Sequence, residues 1–512
     1  MTTILTTARC PLCGGELPEG AAHCARATCG VALSWDTGRP AVATFRLHDH
    51  YSLCVLPFAF DEARRGEAVD RLAASPRWTE RVFSLADADD VDRTEYFLPY
   101  IRRFLFPTLF ESRRPEGAAK RTCWRYDFDL DQLGETGPDG LPLTLRGRLG
   151  PIEDATAALL LEHVELIVFS YRVGFLVLRV RCTDAGATYF DQMEVLAQLR
   201  AFVPPYREFT LPVLEAGAAR FRMSQLLPFF LAEFGGEPVR ALAVIPADAP
   251  LPVKPTYDDR LMVYAFSCLD QGTALDDIEH NERLLCQHAV VNFDRKAMQT
   301  AVGAKRPRDV AAWARARWQA FTKDGGLLVV FNTDRFHGTF LGGYHASYYF
   351  DIFVLAALQR VTLLTLFEQL SDIRALITGD AASRQLLRRV RRDLLLFKNQ
   401  CTFSQITNRE RGLVLWKKWQ TVFETRTLVR EVNQQSEELD AYLQGRYRER
   451  MDWLVRLGGL LGTALPALWG LEMVLGKEAW VQTLRWVLIG VLLLGAAALA
   501  WFVLFHRTDE DA

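Results

Sequence analysis

Two long apolar runs near the end of the chain, Leu457–Leu475 and Trp486–Phe505, are separated by a short polar loop. A helix needs about 20 apolar residues to cross the hydrocarbon of a bilayer, and Trp486–Phe505 has that length with no charge inside it. The first run holds Gly458, Gly459, Gly462, Pro466 and Gly470, which weaken a helix in water but are tolerated between packed helices in lipid. Its one ionisable residue is Glu472. The alternative is a buried hairpin of a soluble protein, which the uncharged length of the second run disfavours.

The flanks give an orientation. Arg446, Arg448, Arg450 and Arg456 crowd the approach to the first run, whereas the loop carries only Lys477 and Arg485 as cations. The positive-inside rule then places both termini in the cytoplasm of a two-span protein of the cell inner membrane. Trp453, Trp469, Trp480, Trp486 and Trp501 lie near the span ends, where amphipathic rings prefer the headgroup layer. The start of the chain lacks a basic segment followed by a long apolar core, so no cleavable signal peptide is expected and insertion is directed by the C-terminal runs.

The chain has 512 residues and a net charge of −2, which gives no global drive toward nucleic acid or anionic lipid, although local patches still matter. Four of its ten cysteines fall in the first thirty residues, as Cys10, Cys13, Cys24 and Cys29; the others are scattered, which suits a reducing cytosol. Cys10-Pro-Leu-Cys13-Gly and Cys24-Ala-Arg-Ala-Thr-Cys29-Gly form two pairs, each followed by glycine. Close thiolate pairs suit tetrahedral zinc, and four of them close the coordination shell, so a structural zinc ribbon is predicted over residues 1–39. The second pair is spaced more loosely, and His23 is an alternative ligand to Cys24. So short a segment has too little apolar material for its own core, and the metal supplies the missing folding free energy.

Strand-like and helix-like patterns alternate through residues 40–345, which predicts an α+β domain with an antiparallel or mixed sheet. Thr44–Leu56 reads as extended and stopped by Pro57, and Glu62–Ala74 as a helix. Trp124–Leu130 and Leu141–Leu149 read as one hairpin, and Val164–Phe169 with Gly174–Arg181 as a second. Ala185–Val203 reads as a helix, Ala241–Ile245, Leu261–Cys268 and Gly326–Asn332 as strands, and Val310–Lys323 as a helix. No Walker loop, His-Glu-x-x-His or Gly-x-Ser-x-Gly occurs, so an enzyme is not expected. His48 and His50 alternate along a strand as metal ligands would, although a surface position suits them better because no third ligand is near; His337 and His345 are read the same way.

From Ala346 a helical periodicity runs without proline to Pro466, giving a stalk region over 346–455 ahead of the hairpin (456–505) and a cytoplasmic tail (506–512). The first helix has Gly379-Asp380 as its terminator. The second begins near Ser383, with a break near Gly412; a continuous helix from Gly412 to Leu475 is roughly 95 Å long at 1.5 Å per residue. Arg384, Arg388, Arg389, Arg391 and Arg392 wrap the second helix. They read either as a solvated or inter-subunit ion-pair face or as a site for an anion, a nucleotide-like ligand or a lipid headgroup.

This layout resembles the CorA-like divalent-cation transporter superfamily, as do Glu438-Leu439-Asp440-Ala441-Tyr442-Leu443 before the first run and His163-Val164-Glu165-Leu166-Ile167-Val168-Phe169 with Gly174-Phe175-Leu176 in the body. The resemblance implies a homo-oligomer, a pentamer, whose first span lines a cation pore gated by the cytoplasmic domain. Magnesium-carrying members have Gly-Met-Asn at the outer end of that span; here the stretch reads Trp469-Gly470-Leu471-Glu472-Met473. In a pentamer Glu472 forms a carboxylate ring, or else it snorkels to the interface. Two further functions remain open: a defence effector that permeabilises the membrane on binding a messenger, and a membrane-anchored adaptor holding a partner through the ribbon.

Overall fold

The computed structural model describes most of residues 46–270, 310–371 and 381–442, short stretches between residues 8 and 42, and isolated positions beyond 442. The zinc-ribbon cysteines, Glu472 and most of the two apolar runs lie outside the described residues. The described body is mixed α/β, built on one 13-stranded sheet. Its main strands are β1 (Leu47–Ala59), β2 (Cys123–Phe128), β3 (Leu141–Leu149), β4 (Ile152–Phe169), β5 (Val173–Cys182), β6 (Met262–Leu269), β7 (Val310–Ala314), β8 (Arg317–Thr322) and β9 (Gly325–Phe331). They lie in the order β3-β4-β5-β1-β6-β9-β8-β7. The pairings are antiparallel except that β6 and β9 run parallel.

The central strands are buried on both faces, so their side chains divide by the period of two. Cys54, Leu56, Phe58, Val263, Ala265, Leu327 and Val329 face a core covered by helices α3 (Tyr189–Leu199) and α4 (Met223–Phe230). Tyr51, Tyr264 and Phe321 belong to the opposite face, where they meet aromatic side chains of helices α5 (Phe336–Ser371) and α7 (Glu410–Val422). Tyr264 lies 5.1 Å from Phe353, and Trp419 lies 5.0 Å from both Phe321 and Phe353, centroid to centroid. Helix α1 (Glu62–Ala74) forms where its pattern predicts and buries Ala68 and Leu72, one turn apart.

Several expectations are corrected. β1 passes through Pro57 to Ala59. In an antiparallel strand a residue's N–H and C=O point to the same edge, and the Pro57 carbonyl accepts from the Thr256 amide at 2.9 Å. β6 has already ended opposite Val55, so the missing donor of proline breaks no ladder bond to it. β2 and β3 exist but do not pair with each other. Both pair with the same edge of the long β4, β2 against residues Glu165–Phe169 and β3 against Ile152–Leu161, so they lie in line with a turn-rich excursion between them. β4 and β5 do form the second hairpin, with Arg172 at φ 64° in its turn.

Val310–Lys323 is no helix but the strands β7 and β8. Its alanines favour a helix, yet Thr322 pairs with Gly325 across a two-residue turn that needs Gly325 at φ 142°. A Cβ there would meet the Val263 carbonyl oxygen of the adjacent parallel strand. Ala241–Ile245 is a 3-10 turn at Leu242–Val244 with Val244 exposed, not a strand. The helix over Ala185–Val203 is shorter, at Tyr189–Leu199.

The helical region is also divided differently. α5 begins at Phe336, so a boundary at residue 346 falls inside it. Helix α6 (Ala381–Cys401) is followed by a non-helical stretch before α7, and a further helix covers residues 425–439. Gly412 is therefore inside α7, where its missing Cβ admits Thr407 and Tyr96. The continuous helix expected from Gly412 breaks instead at Phe423 and Glu424. Phe423 is buried, its carbonyl accepts from Arg360 at 3.1 Å, and Glu424 turns the backbone at φ 53°. The chain divides into two compact units, one of Met1–Leu363 with Thr402–Arg426, the other of Leu364–Cys401 with Thr427–Ala512. Among the described residues α5 alone is long and apolar enough to cross a membrane, but 78% of its most apolar window is buried within the protein. It is a core helix of the body.

Candidate functional site

Helix α5 starts irregularly. Phe336–Phe340 and His345–Tyr349 are π-helical, and Ser347 leaves the helical region at φ −100°, ψ −106°. Wide turns of this kind insert residues into a helix and re-aim side chains, and they concentrate at functional positions. Here they set His345 against the sheet between Tyr51 of β1 and Tyr264 of β6. Its ring stacks on Tyr264 at 4.2 Å with 8° between planes, and all three side chains are buried.

The hydrogen bonds fix the imidazole tautomer. Tyr51 Oη donates to the Gly342 carbonyl at 2.9 Å and lies 2.8 Å from His345 Nδ1. A phenol has one proton, so Nδ1–H of His345 donates to the Tyr51 oxygen and Nε2 keeps a lone pair. That Nε2 and the Tyr264 hydroxyl are both buried without a hydrogen-bond partner among the described residues. Burial, helped by the nearby Arg317 cation, holds the His345 pKa well below the usual histidine value, and burial pushes the Tyr264 phenol well above its own. The Arg179 guanidinium covers the Tyr51 ring at 4.4 Å.

A second cluster lies at the next turn of α5. Asp351, fully buried, accepts two bonds from Arg93 (Nε 2.7 Å, Nη2 2.8 Å) and one from Arg125 Nη2 at 2.6 Å. Arg125 also donates to Glu165 at 3.0 Å. Arg93 stands on helix α2 (Ala88–Glu95), Arg125 on β2 and Glu165 on β4, so four elements meet at one balanced set of two cations and two anions. Burial alone would raise the Asp351 pKa; Arg125 and Arg93 outweigh it and bring the carboxyl down to about 2. Buried pairs of this kind are poor sources of net stability but costly to break. Together the clusters fix the position of the start of α5 on the sheet. They form a polar joint, with no activated nucleophile.

The residues singled out from sequence are not brought together here. His48 is exposed and lies 3.5 Å from Asp270. His50 is buried, contrary to the surface position expected, and its Nε2 accepts from the Cys182 amide at 3.1 Å, so the two histidines do not form a metal pair. His345 is likewise buried. No group of three or more metal-ligating side chains occurs among the described residues. Arg388, Arg389, Arg391 and Arg392 are exposed on α6, and Arg384 lies on the same helix. Cys54, Cys123, Cys182, Cys268 and Cys401 are buried and in no disulfide. Burial pushes the thiols of Cys54, Cys123, Cys182 and Cys268 up to about 12, which makes them unreactive.

The joint itself went unread in the sequence, although Asp351 is the one charge in the apolar stretch Tyr348–Leu358, and a carboxylate there must find a buried cation. Compared with protein-family models, curated proteins and solved structures, the chain matches none.

Proposed function

We propose that the chain is a CorA-like oligomeric protein of the inner membrane that conducts cations through its first C-terminal run, with the α/β body in the cytoplasm as the gate. In this reading residues 456–505 form a two-helix hairpin, Glu472 stands at the outer pore mouth, and Cys10, Cys13, Cys24 and Cys29 hold a structural zinc. The observation that carries it is the uncharged, apolar length of the second run, Trp486–Phe505, where of the described side chains Trp486 and Val487 are 62% and 56% exposed and Ile489 is buried. Large apolar side chains on that scale of exposure suit lipid better than water. The polar joint supports gating, because α5 is anchored on the sheet at its start and carries the chain into the unit that holds both runs.

The test is flux. Purified full-length protein in liposomes should pass divalent or monovalent cations, and Glu472→Gln should change their selectivity. Absence of any flux would leave the zinc-ribbon adaptor as the better reading, and a monomer in gentle detergent would exclude every pore. The exposed arginines of α6 favour a second reading, in which a nucleotide-like messenger triggers permeabilisation; flux that requires an added cyclic or linear oligonucleotide would select it.

A further inference from the structure

Helix α6 has two faces of different character. Leu387, Val390, Leu394, Phe397 and Cys401 are buried at alternating spacings of three and four, the seam of a helix packed along its length. The outward side carries Arg388, Arg389, Arg391 and Arg392, all exposed, and two leucines, Leu395 at 59% and Leu396 at 42% exposure. Leu395 follows Arg388, Arg391 and Arg392 at spacings of seven, four and three, and Leu396 follows Arg389 and Arg392 at seven and four, so each leucine extends a row of guanidinium groups. The helix holds six cations, Arg384 and Lys398 included, against one acid, Asp393, which lies 3.2 Å from Arg392. The remainder of the protein offsets this, since the whole chain is at −2.

We infer that this outward face docks on the anionic surface of a lipid bilayer, the arginines pairing with headgroup phosphates and the two leucines reaching the acyl boundary. A bilayer accounts for both halves of the face, whereas a soluble anion explains only the arginines and a second copy of the chain only with an acidic partner surface. The exposed acids nearby in sequence, Glu431, Glu437 and Glu438, have only Tyr442, 46% exposed, as an exposed large apolar neighbour, one aromatic ring against two leucines. The inference rests on the membrane reading to this extent: α6 belongs to the same compact unit as both apolar runs, which brings it within reach of a leaflet. Basic amphipathic helices bind anionic membranes by this combination of charge and partial insertion.

The experiment places an environment-sensitive fluorescent amino acid at position 395 of the full-length protein, reconstituted in vesicles of phosphatidylcholine with or without phosphatidylserine. Docking predicts a blue shift and protection from iodide only with phosphatidylserine, reversed by high salt. The ratio of docked to free helix should fall about fivefold for each of Arg388, Arg389, Arg391 and Arg392 changed to glutamine. Equal exposure of the reporter in both lipids overturns the inference. So does protection that appears in detergent and grows with protein concentration, which assigns the face to a second copy, or protection produced by inorganic phosphate or an oligonucleotide without anionic lipid. Release of the protein by alkaline carbonate would refute the two-span reading separately; the same reporter on protein added to preformed vesicles would still decide whether the helix docks.

Discussion

Arg93 grips both oxygens of Asp351 with the Nε–Nη2 edge of its guanidinium, at 2.7 and 2.8 Å, across 258 residues of sequence. The pair ties α2 to the first regular turn of α5, and Arg125 completes the neutralisation from the sheet. Asp351→Asn removes the charge but leaves the Arg125 guanidinium buried and Arg93 half-buried beside it, so it should cost about 3–5 kcal/mol by denaturant titration. The pH dependence has a definite sign. A carboxyl near 2 in the fold and about 3.9 in the open chain stabilises the protein above the higher value, and that contribution is lost as pH falls toward the lower one. Asp351→Asn should therefore flatten the melting profile below about pH 4. An unchanged acid slope would show that the joint does not govern acid unfolding.

His50 acts in a different window. Burial, with Arg181 nearby, lowers its pKa to about 4, so the unfolded chain takes up a proton that the fold refuses. Stability should be complete above the unfolded value near 6.5 and decline as pH falls toward 4, by about 3 kcal/mol at most. His163 works the other way: burial would lower its pKa, but Asp127 at 2.9 Å outweighs burial and raises it. Its contribution is present below the unfolded value and is lost as pH rises through the folded one. His50→Gln keeps an acceptor for the Cys182 amide and should remove the decline between pH 6.5 and 4. Asp127→Asn should alter the upper window and, because His163 outweighs burial and holds the Asp127 carboxyl below its ordinary value, the acid range below about pH 4 as well. Melting curves across these pH values separate the two.

The local signals that carried through to the fold were those with one dominant cause. Glu62–Ala74 is helical because its pattern and composition agree, and Gly174–Arg181 pairs with Val164–Phe169 because β-branched runs flank a short turn. Misreadings arose where local preference and long-range pairing disagree. The alanines of residues 310–314 adopt a strand because β8 supplies a ladder. Pro57 sits within β1 because β6 has ended opposite Val55 and the short Lys254–Pro255 strand that follows on that edge uses the Pro57 carbonyl, as acceptor for the Thr256 amide. Glu424 ends a helix through a left-handed turn held by the burial of Phe423, a tertiary cause with no local sign. The joint was legible only as an isolated acid in an apolar stretch, since its partners Arg93, Arg125 and Glu165 arrive from three distant segments.

The cysteine spacing supports a separate expectation for the N-terminal segment. Full-length protein purified without chelator should carry zinc, and Cys10→Ser with Cys13→Ser should abolish it. Because the sheet and its helices draw their core from residues beyond 46, zinc loss should leave the main melting transition of the body in place. Metal analysis and calorimetry on the double variant decide this. Coincident loss of zinc and of the main transition would mean that the ribbon is part of the body's folding unit.

The two phenols beside His345 should respond in opposite directions to the loss of one oxygen. Tyr51→Phe takes a donor from the Gly342 carbonyl and an acceptor from His345 Nδ1–H, both inside the protein, and should cost about 1–3 kcal/mol. Tyr264→Phe removes a buried hydroxyl that no group among the described residues satisfies, while keeping the ring that stacks on His345 and Phe353. Its effect should lie between neutral and about 1 kcal/mol stabilising. Urea titrations of the two variants make the comparison. A Tyr264→Phe cost equal to that of Tyr51→Phe would mean that a bound molecule joins the Tyr264 hydroxyl to the free lone pair of His345 Nε2, and the joint would then be a binding site.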